Sequence, residues 1–481
     1  MEVDIKKHIS DWLITDTRLL RNKYIMMEKL IFIMLSDYLK QQEKTIHLHN
    51  QFDAIAPNGF DCFKGKTIVE IKYKTISIHF IRNIVDAAIR YENDLSNLII
   101  IIACDIPQSY KTRILKSVCD LNFNLAIWYI NYLIKIFENN KELFWQTYTN
   151  INEIYIKETI NDGLNRNRSS QSEQKSNYLK ELNNAYQKDD LVLFLGAGAS
   201  SDAKIATWNT LISELFVALI DKKLNDKGIV LDKTSRKKLV KELMDQNNSS
   251  PLLQTRFLKQ GIENEFESVV RDILYKNVQD TSSLLNEIGQ LCIPKRGKFG
   301  IQAIINYNFD DLIETNLEKL RLNYRSVYTE GVIPENDEIG VYHVHGFLPR
   351  KSDAYENLTK SLLVFSEEGY HKLMLEPYNW ANMIQLNYLT SNTCLFIGLS
   401  MTDPNLRRLL DIAAQKTIDE KCKHFAILKR FKIESEEENV RKFEQVNDEL
   451  QESFYRDLGV NVIWVDEYSE IPKIISKIKD K

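Results

Sequence analysis

The chain has 481 residues, a formal net charge of −4, and 44% hydrophobic and 27% charged residues. This length predicts two domains, because single hydrophobic cores rarely grow beyond about 250–300 residues. The composition is typical of a soluble globular protein, and the slight negative charge argues against a surface built throughout to bind nucleic acid.

The cysteines and apolar runs narrow the class of protein further. The six cysteines contain no C-x-x-C spacing, so we expect neither a zinc ribbon nor a disulfide framework. The N-terminus "MEVDIKKHISDW" lacks the apolar core of a signal peptide, and the longest apolar run, Leu98–Cys104, is too short to span a bilayer. We therefore expect a cytoplasmic protein that binds no zinc and enters no membrane.

The first predicted domain, residues 1–156, carries candidate metal ligands. A helix is expected over Lys23–Leu39 and strands over Asn97–Cys104 and Asn124–Tyr129. Between them, Asp53 precedes the strand sequence "VEIK", in which Glu70 and Lys72 share one face because strand side chains alternate. Two carboxylates can hold Mg²⁺ while a lysine stabilises an attacking water. The alternative is a solvated Glu-Lys ladder with no chemistry.

This helix, strand and D…E-x-K pattern resembles the core of PD-(D/E)xK restriction-endonuclease-like (Mrr-like) domains. The resemblance implies an α/β fold in which Asp53 and Glu70 bind Mg²⁺, Lys72 is the nuclease lysine and Glu28 is a fourth carboxylate. Basic and acidic side chains are nearly equal in number over residues 1–160, so no broad cationic face for phosphates is predicted. Whether the domain cleaves DNA, binds DNA, or only docks or senses a partner stays open.

A polar stretch separates the two predicted domains. Residues 157–176 are rich in Asn, Ser and Gln with little to bury, which predicts a linker. The second domain, residues 177–481, begins with helical spacing of apolar side chains. It ends with a charged helix followed by a strand and an amphipathic helix.

Four buried strands of the second domain are expected to end at ligand-binding groups. Strands that alternate with helices predict a mostly parallel sheet, and such sheets bind ligands beyond the carboxyl ends of their strands. We therefore expect Gly196, Gly198, Asn308, His345 and Ser400 to converge on one crevice. The four stretches are "LVLFLGAGAS" (191–200), "IQAIINYNFDDLIE" (301–314), "IGVYHVHGFLP" (339–349) and "TCLFIGLSMTDPNLRRLL" (393–410).

Local rules add three expectations at these ends. Asp311 and Glu314 have the spacing of a capping box, and Asp403 precedes Pro404 as a helix N-cap. His343 and His345 are expected on one strand face. Each residue also has an ordinary structural interpretation, since Asn favours turns and a single His near a strand end is usually a satisfied core group.

Together, "GAGAS", "NYNFDDLIE", "VHG" and "LFIGLSMTDPNLRRLL" resemble the SIR2-like domains of bacterial antiphage effectors, which implies a Rossmann-like fold. By this resemblance His345 is the catalytic histidine, and Asn308 is the catalytic asparagine with Asp310 as its acidic partner. The resemblance assigns the diphosphate loop to Gly196, Ala197, Gly198 and Ser200. It assigns the adenosine ribose contacts to Gly398, Ser400 and Asp403.

The same stretches argue against hydride transfer. The third glycine of a dinucleotide fingerprint is replaced by Ser201, and the sequence 208–219 predicts a helix where a second strand would be needed. We therefore expect NAD⁺ to be a substrate that is cut to nicotinamide and ADP-ribose. The alternatives are a protein deacylase, which the missing C-x-x-C pairs argue against, a non-catalytic sensor of NAD⁺ or ADP-ribose, and a DNA nuclease with NAD-linked regulation.

The resemblance and the toxicity of unregulated NAD⁺ loss imply a resting state that a trigger releases. The trigger is expected to be a partner protein, a nucleotide signal or assembly into an oligomer. Partners of the kind expected are a HerA-like ATPase or a nucleotide-pyrophosphatase-like subunit, together with DNA for the first domain.

Overall fold

A computed structural model divides the chain into two compact units, Met1–Asn161 and Asp162–Lys481. The division falls inside the predicted linker, 157–176, which is helical over its described residues rather than irregular. The cause is local, because this stretch contains one glycine and no proline to interrupt a helix. The structure describes residues 5, 20–49, 52–72, 78–91, 95–102, 107, 109–110, 112–113, 121–165, 168–225, 227–229, 231–246, 251–294, 300–416, 423–433 and 437–479.

The first unit contains a five-stranded sheet in the order β1-β2-β3-β4-β5. Strands β1 to β3 pair antiparallel, while β3, β4 and β5 pair parallel. Every residue of β3 and β4 is buried, because apolar clusters cover both faces of the sheet. The elements are α1 (Leu20–Lys40), β1 (His47–Leu48), β2 (Ala54–Ala56), β3 (Thr67–Lys72), α2 (Ile78–Tyr91), β4 (Asn97–Ile102), β5 (Asn124–Tyr129), α3 (Ile130–Asn139) and α4 (Lys141–Asn165), whose last turn lies beyond the division.

The second unit contains a seven-stranded sheet in which every pair is parallel. Its strand order is β12-β11-β10-β6-β7-β9-β8. The strands are β6 (Leu191–Leu195), β7 (Ile301–Asn306), β8 (Tyr324–Val327), β9 (Ile339–His343), β10 (Thr393–Ile397), β11 (His424–Lys429) and β12 (Val460–Val465).

Helices cover both faces of this sheet, which explains why its strands are continuous apolar runs. A separate helical cluster has its own apolar core. The helices are α5 (Arg168–Gln187), α6 (Ala197–Ser201), α7 (Trp208–Asn225), α8 (Lys233–Gln246), α9 (Pro251–Ile262), α10 (Phe266–Tyr275), α11 (Ser283–Leu291), α12 (Leu312–Lys319), α13 (Glu367–Leu375), α14 (Trp380–Ser391), α15 (Pro404–Lys416), α16 (Glu438–Asp457) and α17 (Ile471–Lys479).

The strand order positions the candidate site. Strands β10, β6, β7 and β9 are neighbours in the sheet, and they are the four strands whose ends carry the motifs. Asn306 and His343 are register partners at the ends of β7 and β9. Asn308 and His345 follow two residues later on each strand, so the parallel register brings both beyond the same edge.

Two remaining expectations concern cysteines and membranes. Cys62 is exposed, Cys292 and Cys394 are buried, and all three are free thiols. Cys104, Cys119 and Cys422 lie outside the described residues. Within the described ranges, no helix is long and apolar enough to cross a bilayer.

Candidate active site

The glycine loop after β6 packs against the loop after β10. Gly196 and Gly198 donate their N–H groups to the carbonyl oxygens of Ile397 and Gly398 at 3.0 and 2.9 Å. A Cβ on Gly198 would stand 2.7 Å from the Cα of Gly398. These glycines therefore serve backbone contact within the protein, and their N–H groups are engaged there. Ala197 and Gly198 remain exposed on the outer side of the loop.

Asn308 connects the glycine loop to the loop after β7. Its Nδ2 donates to the Gly196 carbonyl oxygen at 3.0 Å and to Ser200 Oγ at 3.1 Å. A carbonyl oxygen can only accept, so the amide nitrogen must be the atom that faces Gly196. Both amide hydrogens are thereby engaged, and the amide oxygen is the atom left to accept a hydrogen bond from water or a ribose hydroxyl.

Asp310 supports Asn308 through Ser200. The fully buried Ser200 hydroxyl donates to Asp310 Oδ1 at 3.2 Å while it accepts from Asn308, and Leu312 N–H also donates to Asp310 Oδ1. Burial raises the pKa of Asp310 to about 6, against the opposing effect of these hydrogen bonds. The Ser200 side chain is therefore occupied within the protein, where it links Asn308 to Asp310.

His345 lies in the turn after β9 and is 7% exposed. Its ring packs edge-on against Tyr307, the residue before Asn308, with 4.5 Å between ring centroids. Burial lowers the pKa of His345, and the nearby Asp403 carboxylate opposes that shift. Within the part of the chain that the structure describes, His345 Nε2 has no hydrogen-bond partner. A buried imidazole with an unpartnered nitrogen is suited to accept a proton from a bound ligand.

Asp403 lies beside this histidine. Its Oδ1 accepts the Leu406 N–H at 2.7 Å, which is the expected N-cap bond of α15. Its Oδ2 accepts the Tyr370 hydroxyl at 2.5 Å and lies 3.6 Å from His345 Nε2. The sequence assigned Asp403 to ribose contacts by resemblance alone, and nothing in the sequence indicated Tyr370. Ser400, in the same loop, is exposed and bonds Thr402 at 2.6 Å.

The two histidines of "HVH" face different partners, so their expected common face is wrong. His343 ends β9 and its Nε2 lies 2.6 Å from Glu314 Oε1. His345 lies beyond the strand, in a turn that starts at Val344, so strand alternation no longer relates the two side chains. The capping box is also wrong: the Asp311 side chain makes no cap bond but accepts the Arg350 N–H, while Glu314 binds His343.

The candidate metal ligands of the first unit meet at one point. Lys72 Nζ lies 3.0 Å from Glu70 Oε2 and 3.4 Å from Asp53 Oδ2, so Glu70 and Lys72 share a strand face as expected. Burial raises the pKa of Glu70 to about 8, with a further contribution from Asp53. Glu28 lies on α1 and is half-buried.

The donor set of this cluster limits what it can hold. Among the described residues, no group of three or more His, Cys, Asp and Glu side chains could hold a metal ion. Asp53 and Glu70 supply two carboxylates, which suits Mg²⁺ because that ion usually keeps several waters and takes few protein ligands.

Comparison with known proteins places similarity in the second unit. Residues 302–459 match the model of the SIR2-like domain family. This segment contains Asn308, His345 and Asp403 and omits the glycine loop.

Two curated NAD(+) hydrolases are similar to part of this chain. The NAD(+) hydrolase ThsA of Enterococcus faecium is 24% identical over 321 residues, which are 63% of this chain and 58% of the relative. The NAD(+) hydrolase ThsA of Bacillus cereus (strain MSX-D12) is 22% identical over 312 residues, or 63% of this chain and 56% of the relative. The chain therefore matches less than two thirds of the length of either relative.

Proposed function

We propose that the second unit is an NAD⁺ glycohydrolase that cleaves NAD⁺ to nicotinamide and ADP-ribose. The observation that carries this proposal is the position of Asn308 and His345 beyond adjacent strands, with His345 Nε2 buried and without a hydrogen bond to any described residue. The similarity to two NAD(+) hydrolases supports the same substrate.

The reaction consumes one water. The bond between the ribose C1′ and the nicotinamide nitrogen breaks, and its electron pair leaves with nicotinamide. The ribose becomes cation-like in the transition state, and water adds to C1′ as one proton is released. The site must therefore orient a water and receive a proton.

The two buried side chains divide these tasks. The amide oxygen of Asn308 accepts a hydrogen bond from the attacking water, because both amide hydrogens are engaged by Gly196 and Ser200. His345 accepts the proton from water or from a ribose hydroxyl, since its lowered pKa keeps the imidazole neutral near pH 7. Asp310 acts through Ser200 to hold the Asn308 amide.

The substrate would lie along the two interlocked loops. The exposed Ala197 and Gly198 offer a surface for the diphosphate, and Gly398 and Ser400 offer one for the adenosine ribose. In this proposal NAD⁺ loss serves antiphage defence, and a partner protein, a nucleotide signal or oligomer assembly releases the activity.

The test is nicotinamide release from NAD⁺ by the full chain, measured with and without candidate partners and nucleotides. We expect His345→Ala and Asn308→Ala each to lose nearly all release, while His371→Ala, an exposed histidine on α13, keeps it. Full activity in either active-site variant refutes the assignment. Release that depends on an added acyl-lysine peptide would instead indicate a deacylase.

A second activity is supported in the first unit by the contacts of Lys72 with both Asp53 and Glu70. We propose that this cluster is a nuclease site in which Asp53 and Glu70 would hold Mg²⁺. The ion would supply charge stabilisation at a phosphodiester, and Lys72 would stabilise the attacking water.

The test is metal-dependent nicking of duplex DNA. Glu70→Ala and Lys72→Ala should both abolish cleavage, whereas Lys64→Ala, an exposed lysine of the same unit, should not. The absence of cleavage by the unaltered chain under every trigger tested would favour a docking or sensing role.

A further inference from the structure

Glu314 and His343 form a buried contact that the proposed chemistry does not use. The side chains are 1% and 0% exposed, and Glu314 Oε1 lies 2.6 Å from His343 Nε2. The other ring nitrogen, Nδ1, lies 3.2 Å from the carbonyl oxygen of Asn308. The ring also packs against Phe347, with 4.0 Å between ring centroids. His343 therefore connects a buried acid to the main chain of the proposed water-orienting residue.

The partners of the ring fix its hydrogens. The carbonyl oxygen of Asn308 can only accept, so His343 Nδ1 must carry a hydrogen. The short contact at Nε2 also needs one hydrogen, either on the ring or on the Glu314 carboxyl. Ser326 donates its hydroxyl to the same Oε1 at 2.9 Å, so this oxygen of Glu314 contacts both Ser326 and His343.

The pair is buried among other titratable groups. Burial is the largest effect that raises the pKa of Asp310, while Glu314 raises it further and His343 lowers it. Glu314 also raises the pKa of Asp311, where burial is again the larger effect. Either side chain alone would leave a buried polar atom without its hydrogen bond, which is costly, so each partner stabilises the other. The titratable groups that interact electrostatically with the pair are Asp310, Asp311, Tyr324 and Tyr355.

We propose that Glu314 and His343 form a buried hydrogen-bonded pair that positions Asn308, with His343 Nδ1 donating a hydrogen bond to the carbonyl oxygen of Asn308. This inference rests on the proposed function for the role of Asn308. Both partners are positioning residues, since neither contacts the reacting atoms. The pair fixes the main chain of Asn308, and Gly196 and Ser200 fix its side chain, so the amide oxygen has one direction in which to point.

Two substitutions at one position separate anchoring from packing. In His343→Gln the side-chain amide reaches as far as Nε2, so it can still donate to Glu314 but loses the bond to Asn308. In His343→Asn the amide nitrogen replaces Nδ1, so the bond to Asn308 is retained and the bond to Glu314 is lost. His343→Asn is combined with Glu314→Gln to avoid a buried carboxyl group that has lost its hydrogen bond to the ring.

The kinetic measurement is kcat and KM for nicotinamide release by the full chain, with its trigger where one is needed. We expect His343→Gln to lower kcat by about 100-fold, as small misplacements of catalytic groups do, with little change in KM. The double variant should retain more than a tenth of the activity by the same reasoning. His371→Gln is the matched control at an exposed histidine. Equal kcat in His343→Gln and the unaltered chain overturns the proposal.

A second measurement does not need activity. In the full chain labelled with ¹⁵N at histidine and asparagine, His343 should carry a hydrogen on Nδ1, because the Asn308 carbonyl oxygen can only accept. His343→Gln should shift the Asn308 side-chain amide signals. A His343 Nδ1 without a hydrogen, or unshifted Asn308 signals, overturns the proposal. If neither the unaltered chain nor any variant releases nicotinamide, the proposed function fails. The NMR signals still test whether Glu314 and His343 position Asn308.

Discussion

Asn308 donates its side-chain amide to the carbonyl oxygen of Gly196 across 3.0 Å. This bond joins the loop after β7 to the loop after β6, and it orients the amide without help from a ligand. Ser200 Oγ accepts the second amide hydrogen, and its own hydroxyl donates to Asp310 Oδ1. The proposed water-orienting group is therefore set by the protein before substrate arrives, which is the arrangement that stabilises a transition state with little reorganisation.

Asn308→Asp should abolish most nicotinamide release although the side chains have the same shape. The carboxylate would place an oxygen opposite the Gly196 carbonyl oxygen, where only a donor fits, and a buried acceptor without a donor costs about 1–3 kcal/mol. We expect kcat to fall by about 10²–10³-fold. Asn387→Asp, at an exposed asparagine on α14, is the matched control. Activity within threefold of the unaltered chain would show that the amide is not needed.

Asp403→Asn should shift the pH dependence of the reaction. Burial lowers the pKa of His345 and the Asp403 carboxylate opposes this, so removing the charge should lower that pKa further. The asparagine oxygen can still cap α15, which separates the charge from the fold. The limb of kcat/KM that rises as His345 loses its proton should move to lower pH. An unmoved limb would mean that Asp403 does not act on His345.

The sequence predicts the parts of this site that depend on local pattern. Apolar runs ended by turn residues identified the four strands, and the parallel sheet they imply brings Asn308 and His345 beyond adjacent strands. The general rule that ligands bind at strand carboxyl ends then selected the edge at which these residues lie. Neither step needs information about contacts between distant residues.

The contacts around those residues could not be read from the sequence. The spacing of Asp311 and Glu314 predicts a capping box. Instead, Asp311 bonds to Arg350 and Glu314 bonds to His343, which are both distant in sequence. Strand alternation predicts a common face for His343 and His345, but it ceases to apply because the strand ends at His343 and a turn follows. Side-chain direction beyond a strand depends on such turns. The sequence therefore did not predict that Asp403 lies beside His345.

Asp310→Asn should gain stability relative to the unaltered chain as pH rises. Burial raises the pKa of Asp310 from 3.8 to about 6, so the folded state favours the protonated acid. The protonated Asp310 side chain contributes to the free energy of unfolding. This contribution is complete below pH 3.8 and is lost as pH rises through about 6, a difference of about 3 kcal/mol. The asparagine oxygen can accept from Ser200 and Leu312 at every pH. The free energy of unfolding of both proteins, measured from pH 4 to 7, should diverge in favour of the variant, and parallel curves would contradict the assignment.

Gly398→Ala should lower the free energy of unfolding by more than the cost of its left-handed backbone conformation, and it should also weaken NAD⁺ binding. Gly398 has φ 68°, and an added Cβ would stand 2.2 Å from the Ala199 nitrogen, so the two interlocked loops would have to separate. Gly228 has the same φ with nothing within 4 Å, which makes Gly228→Ala a control for the left-handed conformation alone, about 1–2 kcal/mol. We expect Gly228→Ala to lower only the free energy of unfolding, by that amount. Gly398→Ala should lower it further and raise KM for NAD⁺, because the loops that carry Gly198 and Ser400 move apart. Equal stability and equal KM in the two variants would mean that the contact between the loops does not shape the binding surface.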